Sequence, residues 1–236
     1  INDILDISKI EAGKIELKNQ TFDLKSVVQQ AIELHKYSAK NKNIDLTSRF
    51  LKPLPDIVIG DPFRLQQVLN NLIGNAIKFT DKGGVTVTIT KVAEGKGKNE
   101  IQFYINDTGI GIPENKMHLL FKSFSQVENF QTRKFGGTGL GLAISKELID
   151  LMNGKIWVES KQFVGSTFHF SINFKLPKSI IEINKPDEAP ADFPNKQLKI
   201  LVVEDSLINQ EVIKQVLLSK NCDIFITSSG QEALEA

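Results

Sequence analysis

The apolar positions of this chain follow two periods, and their order predicts most of its elements. Leu24, Val27, Val28, Ala31 and Ile32 recur at helical spacing, so a helix is expected over 24–40, with Asp23 placed to cap it. His35 continues that face and reads as a packed side chain, not a ligand. Asp61-Pro62 is a second helix start, a capping carboxylate followed by proline, and the spacing carries this helix to about Phe79. A third helix is expected over 139–152. Strict alternation marks strands. VTVTITKV and EIQFYIND, joined by the polar EGKGKN, predict one hairpin, and KIWVES with STFHFSINF a second. IDLTSRF and DIVIG read as further strands, and IELKNQTFDL as a short strand and turn. In STFHFSINF, Ser166, Phe168, Phe170, Ile172 and Phe174 share the core face, so His169 is expected on the opposite side, in solvent.

Where the periods fail, the organisation changes. Residues 113–134 are charged and poorly periodic and read as a short helix plus a mobile loop. Pro177, Pro186, Pro190 and Pro194 are half of the eight prolines and mark a linker. LKILVVEDS then restarts the chain as a continuous apolar strand of the kind buried in a parallel sheet, followed by a helix over 206–220 and a strand, DIFIT. INDILDISKI has helical spacing, is stopped by the glycine of EAGK, and is too short to stand alone. It reads as the end of a longer helix. A chain that starts at Ile1 and stops within QEALEA is expected to belong to something longer.

Composition narrows the class. The 236 residues are 41% apolar and 24% charged, ordinary for a globular protein with a sizeable core. The net charge of +1 gives no reason to expect nucleic acid or an anionic membrane. The one cysteine, Cys222, excludes an internal disulfide framework, fits a reducing compartment and reads as a buried thiol. No apolar run has transmembrane length, and nothing resembles a signal peptide.

Three stretches carry chemistry. In NNLIGNAIKFT, Asn71 and Asn75 stand four apart and project from one helix face, with Lys78 three residues on. Two amide oxygens suit a hard cation such as Mg2+, and lysine adds a point charge for phosphate. A solvated face would also hold two asparagines, but asparagine is an unfavourable mid-helix residue. In NDTGIGIP, Asp107 ends a strand and is placed to accept an exocyclic amine, and Gly109 and Gly111 let a flat ring approach the backbone. An ordinary turn at a strand end is the other reading. FGGTGLGLAIS puts four glycines into positions 136 to 141, just before a helix-compatible run, which suits phosphate at a helix N-terminus. It is not a Walker A loop, because Leu142 and Ala143 follow Gly141. Its GxGxG spacing after the non-strand QTRKF also excludes a Rossmann loop, and its place at a helix start excludes a protein-kinase glycine loop.

Taken in order, NLIGNAIKFT, DTGIGI, FKSFSQV and GGTGLGL resemble the N box, first glycine box, F box and second glycine box of sensor histidine kinases. These belong to the superfamily that also holds gyrase, mismatch-repair and heat-shock chaperone ATPases. The resemblance is dense over 61–174. INDILDISKIEAGKIEL resembles the end of the second dimerisation helix, and ILVVEDSLINQEV the start of a response-regulator receiver. The order is that of a hybrid histidine kinase.

The resemblance implies an α/β two-layer sandwich of the Bergerat ATP-binding type, a mixed sheet packed on helices. It is preceded by the end of a dimerisation helix and followed by the start of a flavodoxin-like receiver. The implied divisions are 1–17 for the helical end, 18–176 for the catalytic domain, 177–197 for the linker and 198–236 for the truncated receiver. It implies ATP and Mg2+, with Asn75 as metal ligand, Asn71 in support, Lys78 at the phosphates and Asp107 on the adenine amine. Gly109, Gly111, Ile112, Phe124, Gly137, Thr138, Gly139, Leu140 and Gly141 are to line the nucleotide, and Ser166 to reach the adenine through water. Residues 115–138 are to form an ATP lid anchored by Phe121 and Phe124. Glu204 and Asp205 match a receiver's Mg2+-holding acidic pair, although Asp205 also fits a helix cap.

One position separates kinase from hydrolase. Hydrolytic members hold a glutamate, the general base for water, four residues before the metal asparagine, and Asn71 stands there. An amide cannot take the proton, so γ-phosphoryl transfer to another nucleophile is implied. An ATP hydrolase and a nucleotide-binding regulatory module are the alternatives. Where many members carry an F-box arginine this chain has Gln126, which leaves Arg133 or Lys134 to supply charge. His35, His118 and His169 match no phosphoacceptor motif, so the acceptor histidine and the receiver aspartate are expected outside the chain. Implied partners are a second copy, through dimerisation helices, and a receiver in cis or a separate phosphotransfer or response-regulator protein. This region is expected in the cytoplasm, with membrane attachment only through upstream segments.

Overall fold

The computed structural model describes residues 5, 7–8, 12, 15–51, 54–92, 99–122, 125, 139–177, 199–204, 210, 213–214, 217 and 223–235. The chain forms two compact units, Ile1–Glu182 and Ile183–Ala236.

In the first unit the order is β1 (Gln20–Asp23), α1 (Leu24–Asn41), β2 (Asp45–Phe50), β3 (Ile57–Gly60), α2 (Pro62–Phe79), β4 (Gly84–Lys91) and β5 (Asn99–Asp107). A 3-10 turn (Glu114–Leu119), α3 (Gly141–Leu151), β6 (Lys155–Lys161) and β7 (Gly165–Phe174) follow. Five strands make one mixed sheet, in the order β2-β4-β5-β7-β6, with β2 parallel to β4 and every other pair antiparallel. β1 and β3 pair antiparallel as a separate ribbon.

Alternation decides which sheet face is buried. Val85, Val87 and Ile89 of β4, Ile101, Phe103 and Ile105 of β5, and Phe168, Phe170 and Ile172 of β7 join one cluster with apolar residues of all three helices. Phe103 and Phe170 stack at 4.3 Å in its centre. Burying each such side chain contributes roughly 1.5–3 kcal/mol. α2 is the central helix, and Leu65, Leu69, Leu72 and Ile73 are fully buried on it. Its opposite, less buried face is left for Asn71 and Asn75.

Both ends of α2 are held by distant side chains. Asp61 is buried at its start, where Oδ1 accepts from Arg64 N at 3.0 Å and Oδ2 from Lys18 N at 2.9 Å. At its end the Lys42 ammonium donates to the carbonyls of Ile77, Lys78 and Thr80 at 2.9, 2.8 and 3.1 Å. A cation among the last carbonyls of a helix satisfies orphan acceptors and opposes the helix dipole.

The other sheet face departs from the sequence expectation at one residue. His169 is not in solvent: it is 7% exposed. Cross-strand register puts it between Tyr104 of β5 and Trp157 of β6. Trp157 stacks on the imidazole at 5.0 Å and Tyr104 meets it edge-on at 5.1 Å. Alternation correctly assigns its face, but its two neighbours cover it.

In the second unit, β8 (Lys199–Val203) and β9 (Asp223–Thr227) pair parallel, and α4 (Gly230–Glu235) follows. Leu201, Val203 and Phe225 are exposed. Among the described residues no helix is long and apolar enough to cross a membrane. Cys222, the prolines at 186, 190 and 194, and most of 1–14 and 205–222 lie outside the described residues, as do the expectations placed on them.

Candidate functional site

Three features converge on α2. The first is its amide pair. Asn71 and Asn75 share a face, as their spacing requires, and Asn75 Nδ2 points to Asn71 Oδ1 at 3.4 Å. Asn71 Nδ2 donates to Ser145 Oγ of α3 at 2.8 Å. The chain of bonds has a direction: Ser145 fixes Asn71, Asn71 takes the amino side of Asn75, and Asn75 Oδ1 is left without a hydrogen bond from any described residue. An unbonded amide oxygen on a half-buried helix face fits a hard cation. Among the described residues no group of three or more His, Cys, Asp or Glu could hold a metal. The donor set here is therefore one amide oxygen, a set that suits Mg2+ carried in on phosphates. Lys78, one turn on, has its ammonium 5.1 Å from the centre of the Phe79 ring.

The second feature is Asp107 at the end of β5, 6% exposed. Its Oδ1 accepts from Gly109 N at 2.8 Å and from Ser166 N at 3.2 Å. Burial pushes the carboxyl above its usual range, and these two N–H donors pull it partly back. Oδ2 takes no hydrogen bond from a described residue, so one acceptor remains for an incoming amine. The loop that follows is fastened to the end of α2, where Ile110 N donates to Phe79 O at 3.2 Å. A Cβ on Gly109 would meet that same carbonyl oxygen at 2.4 Å. Glycine is thus needed there by the protein's own packing, whatever a ligand adds. Further along, Ile112 N donates to Ser160 Oγ at 2.8 Å, and Ser160 bonds Ser166 Oγ and Gly165 O, each at 2.9 Å.

The third feature is the start of α3. The helix begins at Gly141, two residues later than its apolar pattern suggests, with Gly139 and the buried Leu140 before it. A Cβ on Gly141 would lie 2.3 Å from Asn71 Oδ1. The last glycine of the cluster therefore seats the helix on the amide pair. Phe121, one of the two expected lid anchors, packs against the core. Phe124, Gln126, Arg133, Lys134, Gly137 and Thr138 lie outside the described residues. So does Asp205, while Glu204 directly follows β8 and donates its N–H to Thr227 O at 3.0 Å.

The fold gathers Asn71, Asn75, Lys78, Asp107 and Ser166, each singled out by the sequence, around the C-terminal half of α2, the end of β5 and the start of β7. Sequence reasoning misses Ser145, Ser160 and Lys42. Each is a common residue with no local signature, and only its distant partner gives it a role. His35 packs against Gly74, whose Cβ position lies 3.3 Å from the imidazole, and burial lowers its pKa.

A mixed sheet on helices, an amide pair beside a glycine-started helix, and a strand-end aspartate define a nucleotide-binding ATPase fold. Residues 60–177, half of the chain, match the family described as histidine kinase-, DNA gyrase B-, and HSP90-like ATPase, and the chain belongs to it. Signal transduction histidine-protein kinase BarA of Escherichia coli K12 is 45% identical over 181 residues, covering 77% of this chain and 20% of BarA. The chain therefore spans about a fifth of that relative. The crystal structure of full-length ShkA in complex with AMPPNP is 26% identical with a TM-score of 0.66, covering all of this chain and 46% of ShkA. The crystal structure of histidine kinase ThkA in complex with the response regulator TrrA is 26% identical with a TM-score of 0.56, covering 72% of this chain and 46% of that one.

Proposed function

We propose that this chain is the ATP-binding catalytic region of a hybrid histidine kinase, and that it hands the γ-phosphoryl group of Mg-ATP to a histidine on a dimerisation domain. The observation that carries the reading is Asn71. At the place where hydrolytic members hold a glutamate base, this chain has an amide whose two ends are committed to Ser145 and Asn75. It cannot activate water. Positioning and charge neutralisation are then the chain's contribution to transfer.

In this reading Asp107 Oδ2 accepts the adenine amine. Asn75 Oδ1 holds Mg2+, which neutralises phosphate charge, and Lys78 turns from Phe79 to the phosphates. The N-terminus of α3, with Gly139 and Leu140, faces them. Residues 18–176 form the catalytic domain, 1–17 the end of the dimerisation helices and 177–197 a linker. Residues 198–236 begin a receiver, supported by the parallel β8–β9 pair and by Glu204 directly after β8. The names of BarA and of the ThkA–TrrA complex support a two-component role with a response-regulator partner. Use of ATP and the reducing-compartment composition support work in the cytoplasm, as a dimer through the upstream helices.

Calorimetric titration with Mg-ATP should show binding that Asn75→Ala weakens at least tenfold. With radiolabelled ATP, the chain should label a separately supplied dimerisation domain carrying the acceptor histidine, in an acid-labile form. Steady ATP hydrolysis with no labelled protein would instead favour a hydrolase.

A further inference from the structure

Ser160 lies on β6, outside every motif that marks the site, yet it is the junction of the pocket's hydrogen bonds. Its hydroxyl has one proton and two lone pairs. Ile112 N–H donates into one lone pair at 2.8 Å. Gly165 O, 2.9 Å away, only accepts, so it takes the Ser160 proton. The remaining contact is with Ser166 Oγ at 2.9 Å, and with the Ser160 proton already placed, Ser166 must donate. Ser166 is 6% exposed, and its N–H is committed to Asp107 Oδ1.

We infer that Ser160 sets the hydrogen-bond polarity of the base pocket: it holds the Ser166 proton, so that Ser166 and Asp107 Oδ2 present only lone pairs, and the pocket selects a base edge bearing an amine over one bearing a carbonyl. The inference rests on the adenine reading of the Asp107 pocket given above. The Gly109 and Ser166 N–H groups are both spent on Asp107 Oδ1. An adenine amine brings the proton that Oδ2 needs. A base with a carbonyl there keeps its proton on the adjacent ring nitrogen, so the position that faces Asp107 Oδ2 and Ser166 holds only acceptors and is one proton short, whether Ser166 meets the base directly or through a water. Ser160 is thus a positioning residue that acts on specificity through Ser166.

The test compares ATP with ITP, which carries a carbonyl in place of the amine, by calorimetric titration of the whole chain in Mg2+. The parent should prefer ATP. Ser160→Ala frees the Ser166 proton to serve a carbonyl, so the preference should fall about tenfold. Ser160→Thr keeps a hydroxyl and should keep the preference. An unchanged preference in a folded Ser160→Ala variant overturns the proposal. Should that variant not fold, Ser166→Ala asks the same question. Loss of an acceptor must harm ATP more than ITP, so the preference falls, whereas a preference that holds or rises means Ser166 was a donor. A parent chain that binds neither nucleotide overturns the adenine reading itself.

Discussion

Replacing Gly141 by alanine tests the seat of α3 on the amide pair. The new Cβ would stand 2.3 Å from Asn71 Oδ1, 3.0 Å from its Cγ and 3.3 Å from its Nδ2, so the whole amide is in the way. Asn71 must swing out or α3 must move. Either breaks the 2.8 Å bond to Ser145, a residue 1% exposed. A buried hydroxyl left without a partner costs about 1–3 kcal/mol. Alanine returns at most ~1 kcal/mol of helix propensity, and less in the first turn. The net loss is about 1–2 kcal/mol, which lowers Tm by roughly 3–6 °C for a unit of this size. Asn75 also loses the partner that orients it, so Mg-ATP affinity should fall as well. Thermal unfolding by circular dichroism, with and without Mg-ATP, measures both effects. The control is the double variant: once Asn71→Ala has removed the obstacle, Gly141→Ala should be neutral or stabilising. Gly141→Ala that costs the same with or without the Asn71 side chain would refute the reasoning.

Other substitutions probe the supports of α2 and the covered histidine. Lys42→Met removes three bonds to the last carbonyls of α2 and should cost about 1.5–3 kcal/mol in urea unfolding; the Asp81 contact at 3.8 Å is exposed and adds little. Asp61→Ala strips both Arg64 N and Lys18 N of their acceptor, so it should cost more than the ~1 kcal/mol of an ordinary helix cap. Burial lowers the pKa of His169 and of His35 below the ordinary 6.5. The unfolded chain then binds more protons just below that pH, and stability should fall as pH drops through 6.5. His169→Gln should remove part of this fall, and an unchanged pH profile would show that the ring protonates where it stands. Asp107 acts in the opposite sense at lower pH, since its raised pKa makes the folded state bind the proton first. In the second unit, β8 and β9 leave Leu201, Val203 and Phe225 exposed, so amide exchange should be faster there than in β5 and β7.

Local pattern along the chain is enough to place most elements of the first unit and to single out the candidate residues of its site. Those signals are local: Asp61-Pro62 starts a helix, alternation makes β4 and β5, and a four-residue spacing puts Asn71 and Asn75 on one face. Asp107 stands out among the carboxylates because it ends a strand just before two glycines. What stands against each of these groups was not legible. Asn71 is oriented by a serine 74 residues away, and Asp107 by the N–H of a residue 59 away. Gly141, which reads as a phosphate-loop glycine, is also required by an amide on another helix. Alternation puts His169 on the correct face but in the wrong environment, because it fixes direction while only register reveals that Tyr104 and Trp157 lie beside the ring. Periodicity records how one segment meets its own surroundings. The direction of a hydrogen bond, the orientation of an amide and the room for one Cβ depend on atoms brought together from distant parts of the chain, so they exist only in the folded molecule.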